Sequence, residues 1–233
     1  MLGPKNRKPV KFKAVLFDFD GTLVDSLKAL HTAFNEGVRS LGLNPVSREK
    51  LAGTLSTGLS LKQMLLETFP SKFQGQEDSI SECINTIRNS YKIREKYVRL
   101  IPGTVEIMRW LSGNGLRIAI VTGSMIPAEK MREKLQSYRL DVFIDTIVTS
   151  VEVHRRKPAP DLILQALKCL GVSAARSITV GDSIVDIKAG KAAGTLTAAV
   201  LTGGEKKSKL TEEEPDFLIE SVRDLNPILK PYI

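Results

Sequence analysis

A chain of 233 residues with 42% hydrophobic content is long enough for one full α/β core plus a smaller unit, and no repeat or low-complexity segment interrupts it. No run approaches about 18 apolar residues and no apolar stretch precedes the first strand, which excludes a membrane span and a secretion signal and makes a cytoplasmic protein the expectation. The net charge of +8 raises nucleic acid as a partner, but Lys5, Arg7, Lys8, Lys11 and Lys13 crowd one end, and Glu212, Glu213 and Glu214 offset Lys206, Lys207 and Lys209, so the excess reads as a solvated tail that steers anions, with no specific nucleic-acid partner.

The first predicted element is the apolar run Ala14-Val15-Leu16-Phe17, a buried strand. It runs straight into Asp18-Phe19-Asp20-Gly21-Thr22-Leu23-Val24-Asp25-Ser26. In open α/β sheets ligands bind outside the carboxyl ends of the strands, so Asp18 and Asp20 are expected at the mouth of a site. Gly21 permits a tight turn beside them, and Thr22 and Ser26 can supply hydroxyls or cap the next helix. Two carboxylates so placed suit phosphoryl transfer; taken alone, the stretch reads equally as an acidic strand-end turn.

About 75 residues separate Asp25 from Pro102, too many for a simple connection, so an inserted unit is expected. It reads as helices: from Ser26 through Leu41, a short one around Glu49, one from Leu59 to Thr68, and one from Ser79 to Tyr97, punctuated by Pro70, Gly75 and Pro102. Leu51 to Lys62 reads as a glycine-containing loop, either a ligand-facing segment or a plain helix connection. His31, in the first of these helices, reads as packed or surface-lying.

Beyond Pro102 the pattern alternates. Helix Val105–Ser112, strand Arg117–Val121, helix Ala128–Tyr138, strand Phe143–Thr149, helix Asp161–Leu170, strand Ser177–Val180, helix Ile184–Ala193 and strand Leu196–Leu201 call for a parallel sheet with right-handed crossovers. Trp110 fits a helix face packed on that sheet. The Arg117 strand ends at Thr122-Gly123-Ser124, where a hydroxyl and free backbone amides suit a phosphate oxygen. Lys157, held before Pro158, can neutralise both an aspartate and a bound phosphate, although a single Lys-Pro pair also reads as a solvated lysine. The Ser177 strand ends in Gly181-Asp182-Ser183-Ile184-Val185-Asp186, and acids four residues apart there suit a hard divalent cation. His154 reads as solvated. Cys83 and Cys169, without metal spacing, read as reduced thiols.

Together these four pieces resemble the motif set of the haloacid dehalogenase-like phosphohydrolase superfamily from residue 14 to about 202, and most of all its phosphoglycolate phosphatase-like branch. The resemblance implies an α/β fold: a Rossmann-like parallel-sheet core from residues 1–24 and 102–233, with Asp18 on a central strand, and an all-helical cap from 25–101. Cap hinges follow near Val24–Leu27 and Val98–Pro102. Asp18 is then the nucleophile that forms an aspartyl-phosphate, and Asp20 the acid and later the base. Thr122, Gly123 and Lys157 hold phosphate; the Asp18 side chain, the Asp20 carbonyl and Asp182 hold Mg²⁺; Asp186 orients metal-bound water or Lys157.

Asp20 sets the chain apart from dehalogenating, phosphonate-cleaving and ion-pumping relatives, which lack a carboxylate there. Sugar phosphomutases keep both aspartates. In β-phosphoglucomutase-like proteins the cap loop has an arginine shortly after its glycine, whereas alignment on Gly58 places Leu61 there, with Lys62 as a partial substitute. Thr57, Gly58 and Lys62 are the candidate specificity residues. The expected partner of a monomer or homodimer is a small phosphorylated metabolite, phosphoglycolate foremost. A sugar phosphomutase and a catalytically silent binding or regulatory protein are the alternatives.

Overall fold

The computed structural model describes residues 11–233, so Lys5, Arg7 and Lys8 of the basic tail lie outside the described residues. Strand β1 (Ala14–Phe17) is followed by the two-residue β2 (Val24–Asp25) and helices α1 (Leu27–Ser40), α2 (Arg48–Leu55), α3 (Leu61–Thr68), α4 (Pro70–Phe73) and α5 (Glu77–Arg94). After the short β3 (Arg99–Leu100) come α6 (Thr104–Gly113), β4 (Arg117–Thr122), α7 (Ala128–Ser137), β5 (Thr146–Thr149), α8 (Asp161–Leu170), β6 (Ser177–Gly181), α9 (Ile184–Ala193), β7 (Leu196–Val200), α10 (Lys207–Glu212), β8 (Phe217–Ile219) and α11 (Leu225–Leu229).

Six strands form a parallel sheet in the order β5-β4-β1-β6-β7-β8. Chain order runs outward from β1 through β4 to β5, then from β6 through β7 to β8, so the direction reverses at β1. That reversal is the crevice in which open α/β sheets bind ligands. All four β1 residues are fully buried, because helices cover both faces. One face packs Val15, Phe17, Ile118, Ile120 and Ile178 against α6, α7 and α11; the other packs Leu16, Ala119 and Val121 against α8 and α9. Each such large side chain contributes roughly 1.5–3 kcal/mol, which anchors the strand ends.

Helices α1 to α5 bury a cluster of their own around Phe34, Val38, Met64, Leu65, Phe73 and Ile87. Gly37 lets α1 and α5 approach closely, since a Cβ there would strike Ile87. The antiparallel pairing of Val24 with Leu100 and Asp25 with Arg99 brings both ends of this helical insertion together. Among the described residues no helix is long and apolar enough to cross a membrane.

Several boundaries differ from the sequence pattern. Ser47 caps α2 through Lys50 N, and Ser60 and Gln63 form a reciprocal capping box on α3. The loop read over Leu51–Lys62 therefore shrinks to 56–60, with Gly53 inside a helix. Strand β5 begins at Thr146 because Asp141–Phe143 form a 3₁₀ turn in which Ile144 N–H donates to Asp141 O. Elements α4, α10, β8 and α11 are three to six residues long, too short for periodicity to reveal. Trp110 is half-buried against the sheet, and His31 bonds to Val46 O and Asn35 within the helical insertion. Cys83 is buried, Cys169 is exposed, and neither is in a disulfide.

Candidate active site

Four loops at the carboxyl ends of β1, β4, β5 and β6 meet above the sheet. Asp18 directly follows β1, and its N–H donates to Val180 O at 2.8 Å, which locks it to the strand end. Its carboxylate is buried and receives the Lys157 ammonium at 2.8 Å. Lys157 is itself buried and donates also to Val121 O and to Asp186 Oδ1, each at 2.6 Å. An ammonium has three donors, so all of them are engaged. In this arrangement Lys157 acts on Asp18, and contact with a phosphate would require it to release an acceptor.

Asp182 follows β6 and accepts a hydrogen bond from Thr22 Oγ1 at 3.0 Å. Its other oxygen faces Gly21 and Gly203, where a Cβ would strike it. Gly21 also has φ +83°, so the turn needs glycine twice over. Asp186 holds Lys157 with one oxygen and caps α9 with the other, through Ser183 N–H at 3.1 Å and the Ser183 hydroxyl. Carboxylate oxygens of Asp18, Asp182 and Asp186 all lie within 4.8 Å of one another. With all three ionised, three acids against one lysine leave two negative charges uncompensated.

That crowding shows in the acidities. The Asp18 carboxyl is raised to about 7, chiefly by burial, against the pull of Lys157 and with Asp186 and Asp20 adding to the rise. Asp182 is raised well above the usual carboxylate range, by burial first and then by Asp18 and Asp186. Burial disfavours the charge on Lys157, but Asp18 and Asp186 outweigh it and hold the ammonium above its ordinary value. Asp20 is half-buried beyond the β1 end, and its buried Oδ1 has no hydrogen-bond partner among the described residues. Three clustered carboxyls, their hard oxygen donors and the orphaned Asp20 Oδ1 beside them fit a divalent cation.

Thr122 closes β4, with its hydroxyl accepting from Ser124 N–H at 3.1 Å. The hydroxyl proton is left for a ligand, while the Ser124 amide, expected to be free, is not. Gly123 stays exposed beside it. Gly58, with φ +76°, brings the 56–60 loop onto the core: a Cβ there would lie 2.8 Å from Lys157 O. Thr57 is exposed and lines a cavity of about 360 Å³ with Lys50, Thr54, Gly204, Lys206 and Lys209. Glu49, Glu67 and Glu205 line it too, so it carries both signs of charge. Lys62 is not among these lining residues and is paired at 2.7 Å with Glu77, which is still more exposed than Lys62 itself. His154 is exposed.

Two contributors were missed in the sequence. Ser183 was legible as the first residue of a Ser-x-x-Asp capping box. The loop after β7 touches the site through Gly203 and through the Thr202 hydroxyl, which donates to Gly21 O at 2.7 Å; a Gly-Gly pair at a strand end was its only signal.

A family model described as haloacid dehalogenase-like hydrolase matches residues 15–200. Phosphoglycolate phosphatase 1 of Pseudomonas aeruginosa is 29% identical over 92% of this chain and 79% of its own length. Pyrophosphatase PpaX of Bacillus cereus is 31% identical over 94% of this chain and 97% of its own. Among solved structures, a predicted phosphoglycolate phosphatase from Haemophilus somnus superposes with a TM-score of 0.81 at 23% identity, over 93% of this chain and 97% of the other.

Proposed function

The chain belongs to the haloacid dehalogenase-like hydrolase family, and from that membership we propose that this phosphoric monoester hydrolase removes phosphate from small monoesters, phosphoglycolate foremost, through an aspartyl-phosphate on Asp18. The observation that carries this reading is the buried Asp18 carboxylate at the end of the central strand, pinned by Lys157 beside the acids Asp182 and Asp186.

In the proposed reaction an Asp18 oxygen attacks phosphorus while Asp20 gives its proton to the departing ester oxygen. Asp20 then takes a proton from water, whose oxygen attacks the same phosphorus, releases phosphate and restores the Asp18 carboxylate. The Thr122 hydroxyl donates to a non-bridging oxygen. Attack by a carboxylate on a phosphate anion meets repulsion of about 4 kcal/mol per charge pair at 4 Å in an effective dielectric near 20. Lys157 removes part of it by neutralising Asp18. Asp18, the Asp20 carbonyl and Asp182 are the groups that would hold a divalent cation, proposed to be Mg²⁺, which supplies the rest of the compensating charge. Asp186 keeps Lys157 aimed.

Residues 25–101 are proposed to act as a cap that moves on the β2–β3 stem and selects the leaving group through Thr57 and Gly58. Leu61 at the position where mutases carry an arginine, and Lys62 turned to Glu77, support hydrolysis over isomerisation. Two free cysteines fit a reducing, cytoplasmic setting. The test is phosphate release from phosphoglycolate, hexose phosphates, nucleoside monophosphates and pyrophosphate, with Mg²⁺ and with excess EDTA. Metal-dependent release led by phosphoglycolate is expected. Preference for pyrophosphate would move the substrate to that of the Bacillus cereus relative, and isomerisation of a sugar phosphate without net release would overturn the hydrolase reading.

A further inference from the structure

A second group of half-buried charges joins the helical insertion to the core. Lys134, on core helix α7, has a side chain only 11% exposed, and its Nζ lies 2.8 Å from the carboxylate of Glu95, in the turn that follows α5. The same Nζ sits 5.8 Å from the ring centroid of Tyr91 on α5 and 5.0 Å from that of Phe19. Phe19 is the fully buried residue between Asp18 and Asp20. Tyr138, four residues after Lys134, packs its ring 6.4 Å from Phe19 and donates to Val98 O at 3.3 Å, beside β3. Burial disfavours charge on Lys134, but Asp20, Tyr91 and Glu95 outweigh it and keep the ammonium protonated. A leucine would fill this space without a desolvation penalty, so the charge itself calls for a role.

We propose that Lys134 is a positioning residue for the dephosphorylation: it ties the stem of the cap to the Phe19 ring, and so fixes Asp20 in line with the leaving-group oxygen when the cap is docked. The proposal rests on Asp20 being the acid, as read above. One core ammonium then reaches the moving part on one side and the residue joining the two aspartates on the other. Loss of the tie would leave Asp18 and its surroundings in place while the proton donor loses its alignment.

The test compares two substrates that ask different things of Asp20 as the acid, using the full chain in excess over substrate with Mg²⁺ and reading release of the leaving group in a single turnover, so that hydrolysis of the common aspartyl-phosphate, where Asp20 is the base, does not enter. Phosphoglycolate leaves as an alkoxide that needs a proton; p-nitrophenyl phosphate leaves as a phenolate that does not. Lys134→Met is expected to lower the single-turnover rate of leaving-group release roughly tenfold or more for the alkyl ester and less than about threefold for the aryl ester, with Lys134→Arg recovering most of the loss. Equal losses on both substrates, or none on either, would overturn the proposal. Asp20→Asn, run alongside, separates it from its premise. If Asp20→Asn discriminates between the substrates and Lys134→Met does not, only the role of Lys134 falls; if Asp20→Asn does not discriminate, the acid assignment and the proposal fall together. Should Lys134→Met fail to fold by circular dichroism, Glu95→Gln carries the test, with the same discrimination at smaller amplitude expected and its absence overturning the proposal.

Discussion

Lys157 and Lys62 carry the same side chain, yet one is buried against three acceptors within 2.8 Å and the other is exposed beside an exposed glutamate. Lys157 reaches Asp18 across 139 positions of sequence, because parallel strands deliver their ends to one edge; Lys62 reaches Glu77 across 15, within the helical insertion. In the core each charge is desolvated and depends on its partners, so the arrangement is fixed. On the insertion's surface an ion pair is worth at most about 1 kcal/mol and can be exchanged freely. On the proposed reading, chemistry sits where burial enforces geometry, and selection sits where side chains can change without unfolding the protein.

The largest effect that would break this contrast lies at Asp18. Asp18→Asn is expected to lower phosphate release by about ten-thousandfold or more while circular dichroism and thermal unfolding report a folded protein. Activity within tenfold of the original would move the nucleophile elsewhere. Lys157→Met comes next: it strands two buried carboxylates without their counter-ion, with an expected cost of roughly 3–5 kcal/mol in metal-free protein above neutral pH, read by urea denaturation. Lys157→Arg should not rescue activity, because a planar fork cannot meet three acceptors spaced around an ammonium.

The same contrast governs what could be read without the structure. Strands β1, β4 and β6 were legible because buried parallel strands are short apolar runs, and their polar ends stood out at once. The grouping of Asp18, Thr122, Lys157, Asp182 and Asp186 followed from topology: once the strands are parallel, their carboxyl ends converge. What stayed hidden was fixed by side-chain contact. The saturation of Lys157 and the Gly203 approach to Asp182 depend on rotamers and loop paths that no period encodes. The insertion was legible as helices, yet its glycine-containing loop was drawn too long, because α2 and α3 start on side-chain caps rather than on breaks in hydrophobic pattern.

A third expectation concerns pH. The Asp18 carboxyl titrates near 7 in the folded chain against 3.8 when free, so between those values the folded state binds more protons than the unfolded one. Stability of the metal-free protein should therefore fall as pH rises from about 4 to about 7, by an amount of the order of a few kcal/mol. A divalent cation needs the deprotonated carboxylates, so its stabilising effect should grow over the same window. Melting temperatures with EDTA and with Mg²⁺, taken at pH 5, 6, 7 and 8, should diverge steadily. Parallel curves would mean that the acid cluster does not bind the metal.

The smallest effects should come from the insertion, and they sharpen the contrast rather than break it. Gly58 has φ +76°, and an added Cβ would sit 2.8 Å from the carbonyl of Lys157, against backbone that cannot swing aside. Gly58→Ala therefore acts at the one point of the 56–60 loop that presses on the loop carrying a core charge. Strain of about 1–2 kcal/mol is expected, felt when the loop docks, so KM should rise several-fold with kcat changed less. Lys62→Met, four residues along and facing solvent, should shift stability by no more than about 0.5 kcal/mol and leave both constants within about twofold. A larger effect at Lys62 than at Gly58 would place the substrate against α3 instead of against the loop, and would restore to Lys62 the ligand-gripping role that its pairing with Glu77 argues against.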